Sequence, residues 1–114
     1  MKKYSKDYYY NKAKKFYISG RITGLPGEQA KKHFARIADD LEGKGYEVFN
    51  PFSFNDKCET GDWAKCMVVN IEMLFKCNHV FMLNNWEKSR GARIEHFIAQ
   101  EMGMNICYEE EDRE

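Results

Sequence analysis

The sequence predicts an α/β fold: a small three-layer sandwich of the flavodoxin-like or Rossmann-like kind, built on a parallel sheet of four to five strands. Short β-rich runs alternate along the chain with amphipathic helical segments, in the order β-α-β-α-β-α-β. Such alternation favours parallel strands joined by right-handed crossovers, with helices on both faces of the sheet. At 114 residues the chain has room for one such domain and is too short for a second.

The first β-α-β unit occupies the first half of the chain. KFYISG (15–20) is a short β-rich run that ends at a glycine. Across residues 28–42 the apolar residues recur at steps of three and four, which is typical of an amphipathic helix, and GKG ends it. YEVFNP (46–51) is the next strand, closed by an Asn-Pro pair.

The second half supplies two more helices and two more strands. FSFNDKCETG (52–61) is predicted as a polar loop, and the apolar residues of 63–76 mark a second helix. NHVFML (78–83) is a strand with an apolar centre. A third helix spans 89–102, with a serine placed to cap its start and a glycine to end it, and MNICYE (104–109) is the last strand.

The composition is that of an ordered globular protein, with 43% hydrophobic residues, 32% charged residues and a formal net charge of zero. Residues 1–14 form a basic, tyrosine-rich segment and residues 109–114 an acidic tail, on either side of a domain at 15–108. Nucleic-acid binding by the basic segment is the less favoured alternative, since one short segment is not a binding face. No run approaches the about 20 apolar residues that cross a membrane.

The cysteines have no CxxC spacing, and the chain does not begin with a signal-like apolar run. We therefore expect reduced thiols in a cytoplasmic protein. The alternative is a zinc site shared with the histidines, but these residues lack any ligand-pair spacing. The residues concerned are Cys58, Cys66, Cys77, Cys107, His33, His79 and His96.

The loops that follow the strands are the expected place for a site, because parallel sheets bind ligands outside the carboxyl ends of their strands. The first loop, SGRITGLPG (19–27), has glycines whose backbone N–H groups can cradle an anion, and Arg21 adds a positive charge. Its spacing matches neither the dinucleotide GxGxxG nor a P-loop. Without further evidence, these glycines are better explained as residues that allow a tight turn.

One carboxylate interrupts the apolar face of the third helix. In NNWEKSRGARIEHFIAQEMG (84–103), Glu95 falls on the same helical arc as four apolar residues. These are Ala92, Ile98, Ala99 and Met102. An acid buried without partners is costly, so two interpretations stay open. One is a structural glutamate bonded to Tyr17, Asn70 or backbone amides, and the other is a nucleophile or general base at the floor of a cleft.

Three stretches of the chain resemble a known family. FYISGRITGL, GYEVFNP and CNHVFMLNNWEKSRGARIEHFIAQEMG look like uncharacterised bacterial and phage domains related to nucleoside 2-deoxyribosyltransferases and 2′-deoxynucleoside 5′-phosphate N-hydrolases. The resemblance spans 15–108. It implies N-glycosidic cleavage, in which the glutamate that matches Glu95 attacks the anomeric carbon of the sugar. It implies no metal or redox cofactor, a small nucleoside or nucleotide as partner, and a homodimer or higher homo-oligomer.

The resemblance also assigns further residues to the site. Ser89 stands where the nucleotide hydrolases have a phosphate-binding serine and the transferases an aspartate, which favours a nucleotide hydrolase. Trp86 is expected near the base or at a subunit contact, with a packed surface aromatic as the favoured alternative. The expected substrate-binding residues are Tyr17, Gly20, Arg21, Gly24, Ser89, Gly91 and Trp86.

Asn70 is the main departure from the family's pattern, because relatives commonly have an aspartate there, as they do at Asn78. We expect Asn70 at the catalytic site with Glu95, but its amide cannot act as an acid or base. A module that binds a nucleotide or nucleotide-derived signal without turnover therefore remains the alternative function. A small structural oligomer is a third. The sequence does not identify the nucleobase, and it does not distinguish ribose from deoxyribose or hydrolysis from transfer.

Overall fold

The structure, a computed structural model, describes residues 14–22, 25–54 and 62–110. The strands in these ranges are β1 (Lys15–Ser19), β2 (Glu47–Phe49), β3 (His79–Met82) and β4 (Asn105–Tyr108). The α-helices are α1 (Gly27–Gly43), α2 (Pro51–Phe54), α3 (Trp63–Leu74) and α4 (Arg90–Glu101), and a 3₁₀ turn (Trp86–Lys88) precedes α4. The chain positions outside these ranges include the basic segment at 1–13 and the end of the acidic tail.

The four strands form one parallel sheet in the order β2-β1-β3-β4, which confirms the predicted fold class. In the middle of the sheet, Tyr17 of β1 lies level with Phe49 of β2 and with Val80 of β3. The chain leaves β1 toward β2 on one side and then returns to β3 on the other. The carboxyl ends of β1 and β3 therefore flank the point where strand order reverses, which is where such sheets bind ligands.

Alternation along β1 sends its side chains to two different cores. Phe16 and Ile18 belong to the core under α1, with Phe34 as a large buried partner. Tyr17 faces the opposite core, where it packs with Val80 and other buried residues. Because side chains of a strand alternate with a period of two, Ser19 shares the face of Tyr17.

Helix α1 follows the predicted apolar pattern closely. Its buried residues are Ala30, Phe34, Ile37, Ala38 and Leu41. The helix ends at Gly43, and Gly45 then adopts a φ of 90°, a left-handed conformation that glycine adopts without steric cost. The Gly45 N–H donates to the Glu42 carbonyl at 2.9 Å, which satisfies one of the free carbonyls of the last turn.

The predicted polar loop after β2 begins instead with the short helix α2. The Asn50 side chain accepts a hydrogen bond from the Phe52 N–H at 3.0 Å, and Pro51 fits the first helical position. This capping arrangement is local, so the Asn-Pro pair both closes the strand and starts a helical turn. The rest of that predicted loop, 55–61, lies outside the described residues.

The first residue of the predicted acidic tail is bonded into the fold. The Glu109 carboxylate contacts His33 Nε2 at 2.9 Å and accepts from the Asn84 N–H at 2.9 Å. Its backbone N–H donates to the Met82 carbonyl at 2.8 Å, which continues the β3–β4 ladder. Glu109 therefore connects α1 to the end of the sheet. The domain boundaries given above remain predictions.

Cys66 is disulfide-bonded, whereas Cys77 and Cys107 are free thiols. The expectation of reduced thiols is therefore wrong at Cys66. Burial raises the pKa of Cys77 to about 12, so this thiol stays protonated near neutral pH. None of the helices in the described ranges has the length and apolar character to span a bilayer.

Candidate active site

A cavity of about 110 Å³ opens beside the carboxyl end of β1, between α3 and α4. Six of the predicted site residues line it: Tyr17, Gly20, Asn70, Ser89, Gly91 and Glu95. They come from β1, the loop after it, α3 and the first turns of α4. The topology of the sheet thus brings together residues that are far apart in sequence.

Glu95 is the buried acid of this cavity, with 4% of its surface exposed. Its Oε2 accepts a hydrogen bond from the Tyr17 hydroxyl at 2.9 Å, and its Oε1 accepts one from the Ser19 hydroxyl at 2.6 Å. Burial raises the pKa of Glu95 to about 7, although the hydrogen bonds from Ser19 and Tyr17 act in the opposite direction. The carboxyl group can therefore exist in both forms near neutral pH.

The hydroxyl partners of Glu95 are held by the strand itself. Tyr17 is fully buried, and its pKa is raised well above the usual value, mainly by burial and then by the neighbouring Glu95. Its phenol therefore keeps its proton and acts as a donor. Ser19 was missed by the sequence reasoning, although it is two residues beyond Tyr17 and hence on the same strand face.

The helical arc around Glu95 is only partly buried. Ala92 and Ala99 are 2% and 0% exposed, and Ile98 is half-buried. Met102, expected on the same buried arc, is 43% exposed, so that expectation is wrong. Met102 lies one residue beyond the end of α4, where the helix has passed the edge of the core.

Gly20 is required by a close approach of two elements. An ideal Cβ at this position would lie 2.6 Å from Leu83 Cδ1 and 2.8 Å from Leu83 Cβ. The loop after β1 therefore passes directly over the residue that follows β3, and only a glycine fits without movement. Gly24, the other predicted glycine of this loop, lies outside the described residues.

The first turn of α4 forms one wall of the cavity. Ser89 caps the helix by accepting a hydrogen bond from the Ala92 N–H at 3.1 Å, which leaves its own hydroxyl proton available to a ligand. Gly91 lets α3 approach, since an ideal Cβ there would lie 2.9 Å from Met67 Sδ. The Arg90 guanidinium lies 3.8 Å from the centre of the Trp63 ring, which also lines the cavity.

Asn70 is buried in the cavity wall, with 4% of its surface exposed. Its Nδ2 donates to Cys66 Sγ at 3.4 Å, one helical turn earlier. An ionisable residue that the sequence reasoning did not consider, Asp62, lines the same cavity and caps α3 by accepting from the Lys65 N–H at 3.2 Å. Its position directly before the apolar run of α3 is a typical helix-capping signal.

Arg21 and Trp86 do not line the cavity. The Arg21 N–H donates to Asn85 Oδ1 at 3.0 Å, which fixes the start of the first loop against the third. The Trp86 ring stacks on His96, with ring centres 4.2 Å apart, and lies 6.2 Å from the Tyr108 ring. Trp86 thus packs within an aromatic cluster beside the sheet.

This arrangement combines an acid of near-neutral pKa with two hydroxyl donors beside one cavity. Such a carboxylate, which accepts a hydrogen bond at each oxygen, has a fixed orientation and retains further lone pairs on both oxygens. It can act as a nucleophile or as a general base on a small molecule bound beside β1.

The family model described as Domain of unknown function (DUF4406) matches residues 14–108. A solved structure similar to the chain is described as the Clostridium botulinum CMP N-glycosidase BcmB. The TM-score is 0.53 at 26% sequence identity, and the match covers 83% of this chain and 67% of that chain. No curated protein matches the chain. The chain thus shares its fold with that enzyme over most of its length.

Proposed function

Because the chain belongs to the DUF4406 family, whose description names no activity, we propose its function from the site: nucleotide N-glycosidic cleavage with Glu95 as the nucleophile. The observation that carries the proposal is the Glu95 carboxyl group, which lines the cavity with both oxygens held by hydroxyl donors. The similarity to a CMP N-glycosidase supports the same chemistry at a coarse level. The more specific relationship to deoxyribosyltransferases and deoxynucleotide hydrolases remains a prediction.

In the first step, a Glu95 oxygen attacks the anomeric carbon of the sugar. A carbon–oxygen ester bond forms as the bond between the anomeric carbon and the base nitrogen breaks, and the base leaves with that bond's electron pair and takes up a proton. The Tyr17 and Ser19 donors keep the carboxylate aligned during the attack. Since the positive charge that develops on the sugar is stabilised by an adjacent carboxylate, burial of Glu95 strengthens this interaction.

In the second step, water attacks the anomeric carbon and the ester bond to Glu95 breaks. The water loses a proton, the sugar phosphate is released, and the carboxylate returns to its starting state. The overall change is a nucleotide plus water giving free base plus sugar phosphate. If a second base replaces water, the same intermediate gives base exchange, so the transferase alternative uses the same residues.

The start of α4 is the proposed site for the 5′-phosphate. The N–H groups of a first helical turn have no partners within the helix and favour an anion. Ser89 can donate its hydroxyl proton there, and Arg90 supplies a positive charge at the wall formed by Trp63. This placement is the reason to propose a nucleotide rather than a nucleoside as substrate.

The experiment is an incubation with ribo- and deoxynucleoside 5′-monophosphates and the corresponding nucleosides, with free base followed by chromatography. We expect base release from at least one monophosphate and its loss in Glu95→Gln. The matched control is Glu101→Gln, at an exposed position of the same helix, which should keep full activity. Release that survives in Glu95→Gln would rule out the nucleophile role.

A second candidate, nucleotide binding without turnover, is favoured by Asn70. This buried amide occupies the cavity but cannot protonate a leaving base. Calorimetric titration with the same monophosphates distinguishes the two functions. Binding with a measurable Kd and no base release from any nucleotide would support the binding module and exclude the enzyme.

A further inference from the structure

The loop between β3 and α4 (84–89) leads directly into the proposed phosphate site. It passes through the 3₁₀ turn and ends at Ser89, whose side chain caps α4. Within the turn, the Lys88 N–H donates to the Asn85 carbonyl at 3.1 Å and the Ser89 N–H donates to the Trp86 carbonyl at 3.0 Å. Bonds between residues three apart shape the turn without fixing it to the sheet. Contacts with other elements must therefore hold this loop in place.

The first residue of this loop is bonded to the Glu109 side chain. Met82 is paired with Tyr108, so a regular parallel ladder would continue with the Asn84 N–H donating to the Glu109 carbonyl. The preceding bond of the ladder is present, from the Glu109 N–H to the Met82 carbonyl at 2.8 Å. The Asn84 N–H, however, donates to Glu109 Oε1 at 2.9 Å. The carboxylate thus replaces a backbone acceptor at the point where the chain leaves the sheet.

Helix α1 holds this carboxylate from the other side. His33 Nε2 lies 2.9 Å from Oε1 and 3.1 Å from Oε2 of Glu109, and Arg36 Nη2 donates to Oε2 at 3.5 Å. The side chains of Glu109 and His33 are 12% and 19% exposed, whereas that of Arg36 is 62% exposed. Because an exposed ion pair contributes little, His33 is the main partner of the carboxylate. Held in this way, the carboxylate has little freedom to turn away from Asn84.

The next residue of the loop connects it to the other side of the site. Asn85 Oδ1 accepts a hydrogen bond from the Arg21 N–H at 3.0 Å, in the loop that follows β1. Beside this bond, Leu83 lies so close to Gly20 that a Cβ at the glycine would overlap with it. The loops that follow β1 and β3 therefore meet next to the cavity. A shift of Asn84 would displace Asn85, and with it both the first loop and the start of α4.

We propose that Glu109 is a positioning residue for the active site. Its carboxylate holds Asn84, and through Asn85 it sets the position of the first loop and of the start of α4, where the 5′-phosphate is proposed to bind. Glu109 does not line the cavity, so it acts through this loop and not on the substrate itself. The inference rests on the proposed function, because a positioning role requires that a substrate binds at this site.

The expected consequence of losing Glu109 is a defect in binding. Tyr17 and Ser19, which donate to Glu95, belong to β1 and stay in place when the loop moves. The reacting groups should therefore keep their geometry, whereas the helix start that receives the phosphate should shift. The KM for a monophosphate should change more than kcat, and the pH at which kcat/KM rises should stay the same. A residue that only stabilised the fold would not produce this difference.

The first experiment compares Glu109→Met with Glu109→Gln in the full chain, by steady-state release of base from a monophosphate that the native protein cleaves. Methionine offers no acceptor of comparable strength to the Asn84 N–H, so KM should rise by about tenfold while kcat changes by less than about twofold. Glutamine keeps an oxygen for Asn84, and its NH₂ group can donate to His33 Nε2 in the other tautomer, so its kinetics should match the native values. The control is Glu110→Met, at the exposed next position, which should leave both constants unaltered.

A double-variant cycle tests the route through the loop. Asn85→Ala removes the acceptor for the Arg21 N–H, so it should raise KM by a similar factor. Because both changes release the same loop, the double variant Glu109→Met/Asn85→Ala should be little worse than either single variant. Effects that multiply would show that Glu109 does not act through Asn85, and the proposal would be wrong.

Hydrogen exchange of the amides of 84–89 measures the loop directly, with thermal unfolding recorded to show that each variant is folded. Exchange should be faster in Glu109→Met than in the native protein and unaltered in Glu109→Gln. An active native protein whose KM is unchanged in Glu109→Met, or equal losses in the two variants, would overturn the proposal. A native protein that neither binds nor cleaves any monophosphate would instead contradict the proposed function, and the exchange rates would still show whether Glu109 holds the loop.

Discussion

The Ser19 hydroxyl donates a 2.6 Å hydrogen bond to the Glu95 carboxyl group across 76 positions of sequence. This hydrogen bond joins the last residue of β1 to the second turn of α4. Only 4% of the Glu95 surface is exposed. Burial raises the pKa of Glu95 and this bond lowers it, so Ser19 increases the ionised fraction of the acid near neutral pH.

The rate of base release should rise with pH through about 7, because the nucleophile must be ionised and its pKa is about 7. Ser19→Ala removes a hydrogen bond to the ionised form, so it should move this rise to higher pH. Profiles of kcat/KM from pH 5 to 9 measure the change. The exposed Ser53→Ala should leave the profile unaltered, and an unshifted profile in Ser19→Ala would contradict this role.

Glu95→Gln should become more stable than the native protein as pH rises above the usual carboxyl pKa of 4.5. The folded protein holds the Glu95 proton up to about pH 7, against a usual pKa of 4.5, so stability falls as pH rises between these values. This difference corresponds to about 3 kcal/mol. Gln carries no charge at any pH and avoids the loss.

Thermal unfolding at pH 4 and pH 8 measures the effect. The melting temperatures of the native protein and Glu95→Gln should be similar at pH 4 and differ by on the order of 10 °C at pH 8. Glu101→Gln, on the exposed end of the same helix, should show no pH-dependent difference. A difference that is constant over this range would mean that the acid is not held protonated by burial.

Asn70→Asp should increase the rate of base release by about tenfold or more, because it introduces a group that can protonate the leaving base. Single-turnover measurements of free base report the chemical step directly. Asn105→Asp, at an exposed position of β4, makes the same chemical change away from the cavity. Equal rates for the native protein and Asn70→Asp would show that no acid is needed at this position.

Arg90→Ala should raise the KM for a nucleoside 5′-monophosphate by about tenfold while leaving nucleoside binding unchanged, because the guanidinium stacked on the Trp63 ring is the proposed phosphate partner. Steady-state kinetics or calorimetry with both ligand types give the comparison. Arg93→Ala is the matched control, since Arg93 donates to the Glu87 carbonyl on the exposed side. Equal losses for nucleotide and nucleoside would place Arg90 at the base or sugar.

Gly20→Ala should destabilise the protein by about 1–3 kcal/mol, because the added methyl group would overlap with the Leu83 side chain. Chemical denaturation measures the change in the free energy of unfolding. Gly27→Ala is the control, since a Cβ at Gly27 has nothing within 4 Å and the position is helical. A neutral effect at Gly20 would mean that the loop moves freely away from Leu83.

The element order and the sheet type were predictable from the sequence, because hydrophobic periodicity is a local property of each segment. The alternation of strand and helix in turn requires crossover connections and hence parallel strands. Helix α2 was missed, because an Asn-Pro pair is typical both of a turn and of the start of a helix. The exposure of Met102 was also missed, because periodicity places a residue on a helix face but not relative to the edge of the core.

Within the site, the sequence by itself determined that Glu95 is out of place on an apolar helix face and that Ser89 can cap that helix. Only the tertiary structure decided which groups meet the acid. Ser19 and Tyr17 of β1 bond to Glu95, Asn70 of α3 lines the same cavity, and burial by the assembled layers raises the pKa of Glu95. The physical reason is that periodicity depends on near neighbours in the chain, whereas desolvation and hydrogen bonding depend on distances that exist only after the layers pack.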